Sequence, residues 1–247
     1  MALVAGTAAW FAPAVISALP EPEPEADDAS TETSGEAPGE APAEIKKPVA
    51  PMVPPKRPYA ELAARPGLRT RLALPAALAS GAIGLSLGPD PSLPVWCFLS
   101  ALGVVLAYVD WTTHLLPFRL VAPAYPITIL LIGLAATLSG DLDSLVRAGI
   151  AWIVVYAIFV LMWIVYRRGL GYGDVRLSGI LGMSLGWLGW SYVVIGLYSA
   201  FVVGAVVGGI LALAKVVDRK GYAFGPFMLF GTWLGVVFGS GASTWMA

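Results

Sequence analysis

Seven long apolar runs follow one another in this sequence, separated by short charged connections. A helix needs about 20 apolar residues to cross a bilayer core, and soluble domains are roughly a quarter charged. Here 13% of the residues are charged and 57% are hydrophobic, with a mean hydropathy of +0.76. The pattern predicts an all-α fold, a polytopic transmembrane helical bundle of about seven to eight spans, with runs at 72–87, 94–109, 120–138, 145–166, 177–190, 192–217 and 224–245.

The chain before these runs is predicted to hold three further segments. Residues 1–19 are apolar but marginal in length, so they could form a short N-terminal transmembrane span, which we favour, or a signal-like segment without the usual positive start. Residues 20–58 alternate prolines and acidic residues with small ones, a composition that cannot bury enough apolar surface to order itself, so a disordered cytoplasmic linker is predicted. Residues 59–71 form a basic juxtamembrane segment that suits an anionic inner membrane surface. Residues 72–247 then make up the multi-span domain.

The charges between the runs indicate how the spans are oriented. If every run crosses, the basic residues at 65–71, 119, 167–176 and 215–220 share one side, whereas Asp90, Asp141 and Asp143 fall on the other. Only Arg147 is out of place. Because basic connections stay in the cytoplasm, the basic side is predicted to be cytoplasmic, with both Asp110 and Asp174 at that face.

Composition excludes several kinds of site. Cys97 is the only cysteine and His114 the only histidine, so an internal disulfide and a Cys-rich or His-rich metal site are impossible. The net charge of -1 gives no reason to expect nucleic acid as a partner. We therefore expect no metal or cofactor, and any catalysis must use carboxylates.

Two carboxylates stand at the ends of apolar runs. Asp110 closes one run, and Asp174 follows Gly171-Tyr172-Gly173 before another. Hydrolysis by such a pair needs one group to take a proton from water and one to donate a proton, and close carboxylates share a proton. The helix dipole predicts Asp174 to be the more acidic, provided that the helix of Asp110 ends there. Glycines at 171 and 173 would permit close backbone approach to a substrate, or positive φ.

Simpler interpretations stay open for each residue. Asp174 could serve only as a helix N-cap, and Asp110 could be an interfacial residue. His114 is four residues after Asp110 and could share its helical face. Arg176 could orient Asp174 or bind a lipid phosphate.

Three elements together resemble the type IV prepilin leader peptidases. They are Asp110 followed by Leu116-Pro117, the Gly-x-Gly-Asp box with Arg176 where lysine is usual, and Phe224-Gly225-Pro226-Phe227. The resemblance implies a membrane aspartyl endopeptidase, with residues 72–247 as its peptidase domain, that removes the basic leader of prepilins at the cytoplasmic face of a bacterial plasma membrane. It implies catalytic roles for Asp110 and Asp174, and substrate-binding or structural roles at the site for Gly171, Gly173, Arg176, Pro117, Gly225 and Pro226.

The resemblance has limits, and other classes of protein compete with it. Long members of the family carry a loop with paired CxxC motifs and an N-methyltransferase function, but residues 20–58 contain no cysteine, which predicts peptidase activity alone. Presenilin-type and signal-peptide-peptidase-type proteases also use a Gly-x-Gly-Asp box, although with a different second element. A proton-coupled transporter or an inactive scaffold are the non-enzymatic alternatives.

Overall fold

The structure, a computed structural model, describes residues 1–19, 59–166, 170–213 and 223–246. These ranges are helical and contain no strand, which confirms the all-α prediction. The linker predicted over 20–58 lies outside the described residues, as do Arg167, Arg168 and the basic residues at 215–220. The helices are α1 (Ala2–Trp10), α2 (Ala12–Ser17), α3 (Tyr59–Ala63), α4 (Leu68–Leu87), α5 (Leu93–Thr113), α6 (Phe118–Ser139), α7 (Leu142–Val165), α8 (Tyr172–Leu188), α9 (Trp190–Leu213) and α10 (Gly225–Met246).

The seven helices α4 to α10 correspond one to one with the seven apolar runs. In the part of the chain that the structure describes, five of them, α4, α5, α6, α7 and α9, are long and apolar enough to cross a membrane. Helix α8 begins five residues before its predicted run, at Tyr172. Helix α4 begins four residues before its run, at Leu68, and so takes in Arg69 and Arg71. The basic segment predicted over 59–71 is therefore divided between α3, a short turn and the first turn of α4.

The described connections between these helices lie at two opposite faces of the bundle. One face contains Asp110 near the end of α5 and Asp174 at the start of α8, and we call it the Asp face. At the other face a polar cavity of about 450 Å³ is lined by residues from the ends of α4 and α6, the start of α7 and the start of α9, namely Ser86, Ser139, Asp141, Arg147 and Tyr192. Arg119 at the start of α6 and Asp141 and Asp143 at the start of α7 thus lie at opposite ends of the bundle, which is the separation that the charges predicted for these residues.

Arg147, the one basic residue on the unexpected side, is occupied by the end of a helix. Its guanidinium donates to the carbonyl oxygens of Gly186 and Trp187 at 2.8 Å each and to the hydroxyl of Ser144 at 2.7 Å. A cation at the last carbonyls of a helix satisfies acceptors that lack partners and complements the helix dipole. Arg147 thus joins the start of α7 to the end of α8.

Helix α8 is the central element of the bundle, because most of its residues are buried. It packs closely on α7 through glycines: a Cβ on Gly182 would lie 2.7 Å from the Cβ of Val155 and 3.1 Å from the carbonyl oxygen of Ala151. Small residues of this kind let membrane helices approach closely. The packing of α8 on α7 thereby fixes the position of the first turn of α8.

The N-terminal helices α1 and α2 lie along α4. Met1 contacts Gly84 near the end of α4, and Gly6 faces Ala77. Ile16 packs in the cluster that contains Leu68 at the start of α4. The N-terminal run thus begins at the face opposite the aspartates, and at Ala2–Ser17 it is shorter than the five candidate spans. That it crosses the membrane stays a prediction.

Candidate active site

Asp110 lies in the last turn of α5 and is held by the start of α10. Its side chain is 4% exposed, and its Oδ2 accepts a hydrogen bond from the backbone N–H of Gly225 at 3.0 Å. Helix α5 continues past it to Thr113 and ends at His114, which has a φ of 53°. Asp110 is therefore not the terminal residue of its helix. The predicted effect of the helix dipole required the helix to end at Asp110, and this requirement is only partly met.

Asp174 lies in the first turn of α8, and only one of its two carboxyl oxygens is hydrogen-bonded to a described residue. Its Oδ2 accepts from the backbone N–H of Gly171 at 3.2 Å, and its side chain is 6% exposed. Gly171, not Asp174, is the N-cap residue, so the simple N-cap interpretation is wrong in position although the carboxylate does cap the helix. No hydrogen-bond partner for Oδ1 occurs among the described residues. A buried, unpaired carboxylate oxygen is costly unless something else binds it.

The two carboxyl groups interact electrostatically. Asp174 lies outside the five candidate spans, and burial, together with the charge of Asp110, raises the pKa of Asp174 to about 7. The hydrogen bond from Gly171 opposes this shift but does not cancel it. The helix dipole predicted a lowered pKa for Asp174, whereas its pKa is raised. Desolvation outweighs the dipole at a buried site.

Leu116 is the side chain around which the three sequence elements meet. A Cβ on Gly173 would lie 2.7 Å from the Cβ of Leu116, and a Cβ on Gly225 would lie 3.4 Å from its Cδ1 and 2.6 Å from Oδ2 of Asp110. Both glycines are therefore required for contacts within the protein. The sequence singled out Leu116 only as the neighbour of Pro117, since nothing in the chain shows which residue faces these glycines.

The glycines of the box do not use positive φ, so that alternative is wrong. Gly171 has φ -71° and ψ 144°, and the positive-φ glycines of the described ranges are Gly67, Gly88, Gly140 and Gly189. Approach of the Gly171–Asp174 backbone to a substrate stays a prediction. At Gly173 the space beside the backbone already holds Leu116.

The remaining motif residues have structural positions around the pair. Pro117 is the N-cap residue of α6, and Pro226 is the second residue of α10. Phe224 anchors the start of α10, with ring centroids 5.5 Å from Phe201 and 6.4 Å from Phe159. This aromatic contact fixes the position from which Gly225 reaches Asp110.

His114 and Arg176 are not directed at the pair. His114 is exposed, and its backbone N–H donates to the carbonyl oxygen of Asp110 at 2.8 Å, so it terminates α5 rather than sharing a helical face with Asp110. The guanidinium of Arg176 lies between the rings of Phe118 and Tyr172. Within the described ranges no cluster of three or more His, Cys, Asp or Glu residues is placed to hold a metal ion.

Comparison with known proteins agrees with this arrangement. The model of the Type IV leader peptidase family matches residues 97–213, which include both aspartates. Leader peptidase HopD of Escherichia coli is 32% identical over 146 residues, which cover 56% of this chain and 89% of HopD. The chain belongs to the Type IV leader peptidase family.

Other members of the family are longer than the matched region. The prepilin leader peptidase/N-methyltransferase of Aeromonas hydrophila is 31% identical over 178 residues, which cover 68% of this chain and 58% of that protein. A second such protein, from Stutzerimonas stutzeri, is 29% identical over 140 residues and is covered over 46% of its length. This chain thus spans about half the length of these relatives. No solved structure matches it.

Proposed function

We propose that this chain is a membrane-embedded aspartyl endopeptidase that removes the short basic leader from type IV prepilins or pilin-like proteins. One observation carries the proposal: two buried carboxyl groups from different helices interact, and Asp174 keeps an oxygen unpaired. Membership of the leader peptidase family supports the substrate class. The catalytic site faces the cytoplasm of the bacterial plasma membrane, where the positive-inside rule puts the basic connections.

The chemistry follows from a pair that holds one proton. The ionised carboxylate takes a proton from a water molecule, which attacks the carbonyl carbon of the scissile bond, while the protonated carboxyl donates to the carbonyl oxygen. As the tetrahedral diol collapses and the C–N bond breaks, the proton gained from water passes to the leaving amine. The other carboxylate takes a proton back from a diol hydroxyl, so the pair ends in its starting state. Burial and the charge of Asp110 raise the pKa of Asp174 toward neutrality, so Asp174 can hold the shared proton or give it up. Either aspartate can therefore act as the acid or as the base.

The proposal includes cleavage without N-methylation. The only cysteine, Cys97, lies in α5, so the chain offers no CxxC pair. Incubation of the full-length protein with cleaved substrate and S-adenosylmethionine should leave the mass of the new N-terminus unchanged. A methylated product would contradict this part of the proposal alone.

The test of the peptidase is cleavage of a prepilin with an intact leader by the purified chain in lipid vesicles. Asp110→Asn and Asp174→Asn should each lower the cleavage rate about 10²- to 10⁴-fold, because each removes a proton-transfer group. Asp143→Asn is the matched control, since Asp143 is exposed in the first turn of α7 at the opposite face. Cleavage at the wild-type rate by either active-site variant would exclude the pair.

A further inference from the structure

A cleft of about 570 Å³ lies between α6 and α7, on the side of α8 away from the aspartates. Its walls are apolar surfaces of the two helices, and its end is formed by Arg176 of α8. Both wall helices are candidate membrane spans, and Ile153 on the wall is 66% exposed. In a bilayer the cleft therefore opens sideways to the acyl chains of lipids.

Arg176 brings a positive charge to the end of the cleft. Its guanidinium carbon lies 4.6 Å from the ring centroid of Phe118 and 4.5 Å from that of Tyr172, so it is held between two aromatic faces. Among the described residues no carboxylate pairs with it. Stacking fixes the plane of the guanidinium but leaves its N–H groups as donors, and a cation at the edge of a membrane span is expected to meet an anion.

The depth of Arg176 indicates which anion this is. Phe118 and Tyr172 are the first residues of α6 and α8, and they are 58% and 41% exposed. Aromatic residues at helix ends lie at the level of the lipid headgroups. Arg176 is one turn into α8 and lines the end of the cleft. From that depth its long side chain can extend to the level of the lipid phosphates.

We propose that this cleft binds one anionic phospholipid, with its phosphate on Arg176 and an acyl chain between α6 and α7. A peptide is a poorer fit, because an extended backbone needs hydrogen-bond partners. The walls are mostly apolar, and their polar groups already have partners within the protein. The hydroxyl of Tyr125 donates to the carbonyl oxygen of Arg176 at 2.6 Å and is hydrogen-bonded with Trp152, and the hydroxyl of Tyr156 is hydrogen-bonded with that of Tyr172. The lipid would lie against the start of α8, the helix whose first turn contains Asp174. The proposal does not depend on the peptidase activity.

The test measures lipid retention by the delipidated full-length protein in detergent, using native mass spectrometry. Phosphatidylglycerol and phosphatidylcholine with identical acyl chains are offered together. The wild type should retain phosphatidylglycerol preferentially, and Arg176→Gln should lower that preference about fivefold. Arg176→Lys should preserve it, since the charge is kept. Arg119→Gln is the matched control, because Arg119 is an exposed arginine one residue after Phe118.

A second pair of variants tests the acyl part of the site. Ala122→Trp and Ala157→Trp fill the cleft from either wall and leave Arg176 in place, so both should reduce retention of either lipid. If Arg176→Gln does not fold, these two variants test the site in its place, and unchanged lipid retention in both would contradict the proposal. Excess inorganic phosphate should not displace the lipid. Three outcomes would overturn the proposal: an unchanged preference in Arg176→Gln, an equal loss in Arg119→Gln, or displacement by phosphate alone.

Discussion

Each of the two aspartates is held through one oxygen by the backbone N–H of a glycine at the start of a helix. For Asp174 that glycine is Gly171 of its own helix, and for Asp110 it is Gly225 of α10, 115 residues away along the chain. A backbone donor has no side-chain freedom, so it fixes the carboxyl group more firmly than a flexible side chain would. The positions of α8 and α10 therefore determine the geometry of the pair.

Gly225→Ala should impair catalysis while leaving the fold intact. The added Cβ would lie 2.6 Å from Oδ2 of Asp110, so either the carboxyl group or the start of α10 must move. A displacement of about 1 Å at a catalytic group costs about 10²-fold in rate, and we expect a loss of that order in prepilin cleavage.

Gly133→Ala is the control for this substitution, because a Cβ at Gly133 meets nothing within 4 Å. It should retain the wild-type cleavage rate. Unimpaired cleavage by Gly225→Ala would show that the contact between Gly225 and Asp110 does not set the catalytic geometry.

At this scale the sequence identified the residue types but not their contacts. Asp110 and Asp174 stand out because carboxylates at the ends of apolar runs need a reason. Leu116 does not stand out, since a leucine beside a proline is ordinary and its two glycine neighbours are distant in the chain. The direction in which the pKa of Asp174 shifts also depends on the burial of its side chain, and the order of residues does not reveal burial.

At the scale of elements, the first turn of α8 is positioned from behind by the contact between α7 and α8. Gly182 meets Val155, and Arg147 binds the last carbonyls of α8. These contacts lie away from the aspartates, yet they determine where Asp174 is held. The contacts of α8 in the middle of the bundle therefore determine the position of its first turn at the Asp face.

Gly182→Leu should destabilise the protein strongly. The new side chain would overlap Val155 and the backbone at Ala151, and overpacking of this kind costs about 1–3 kcal/mol or more. Gly133→Leu should be neutral or stabilising, because it adds a good helix former in open space. Thermal unfolding of both variants in detergent measures the difference. Equal melting temperatures would contradict close packing of α7 on α8.

The helices themselves were predictable because each apolar run is continuous, whereas their ends were less so. Helix α4 begins four residues before the predicted run, since helical hydrogen bonding starts at Gly67, whose φ is 73°. Helix α5 extends past the apolar run to Thr113 and stops where His114 adopts a positive φ. Such ends depend on backbone conformation, which hydropathy does not report.

At the scale of the whole molecule, the described connections lie at two faces, and the aspartates share one of them. The sides on which the basic and acidic residues fall predicted two such faces, and Arg147 is the basic residue at the opposite face, where it binds the end of α8. The direction in which the bundle is inserted is a separate matter, because the helices look the same whichever face is inside.

Cysteine labelling in intact cells tests the insertion. In a Cys97→Ser background, Asp143→Cys should react with a membrane-impermeant maleimide added outside, and Arg119→Cys should react only after the cells are opened. Both positions are exposed, and they lie at opposite ends of the bundle. Labelling of Arg119→Cys from outside would reverse the orientation and place the aspartates away from the cytoplasm.

The glycine bonds also make the two oxygens of each carboxyl group unequal. In Asp174 and in Asp110, Oδ2 accepts from a backbone N–H, and protonation of that oxygen would weaken the bond it receives. The proton therefore favours Oδ1 in both residues. Each carboxyl group can then gain or lose a proton on Oδ1 and keep its glycine bond on Oδ2 throughout.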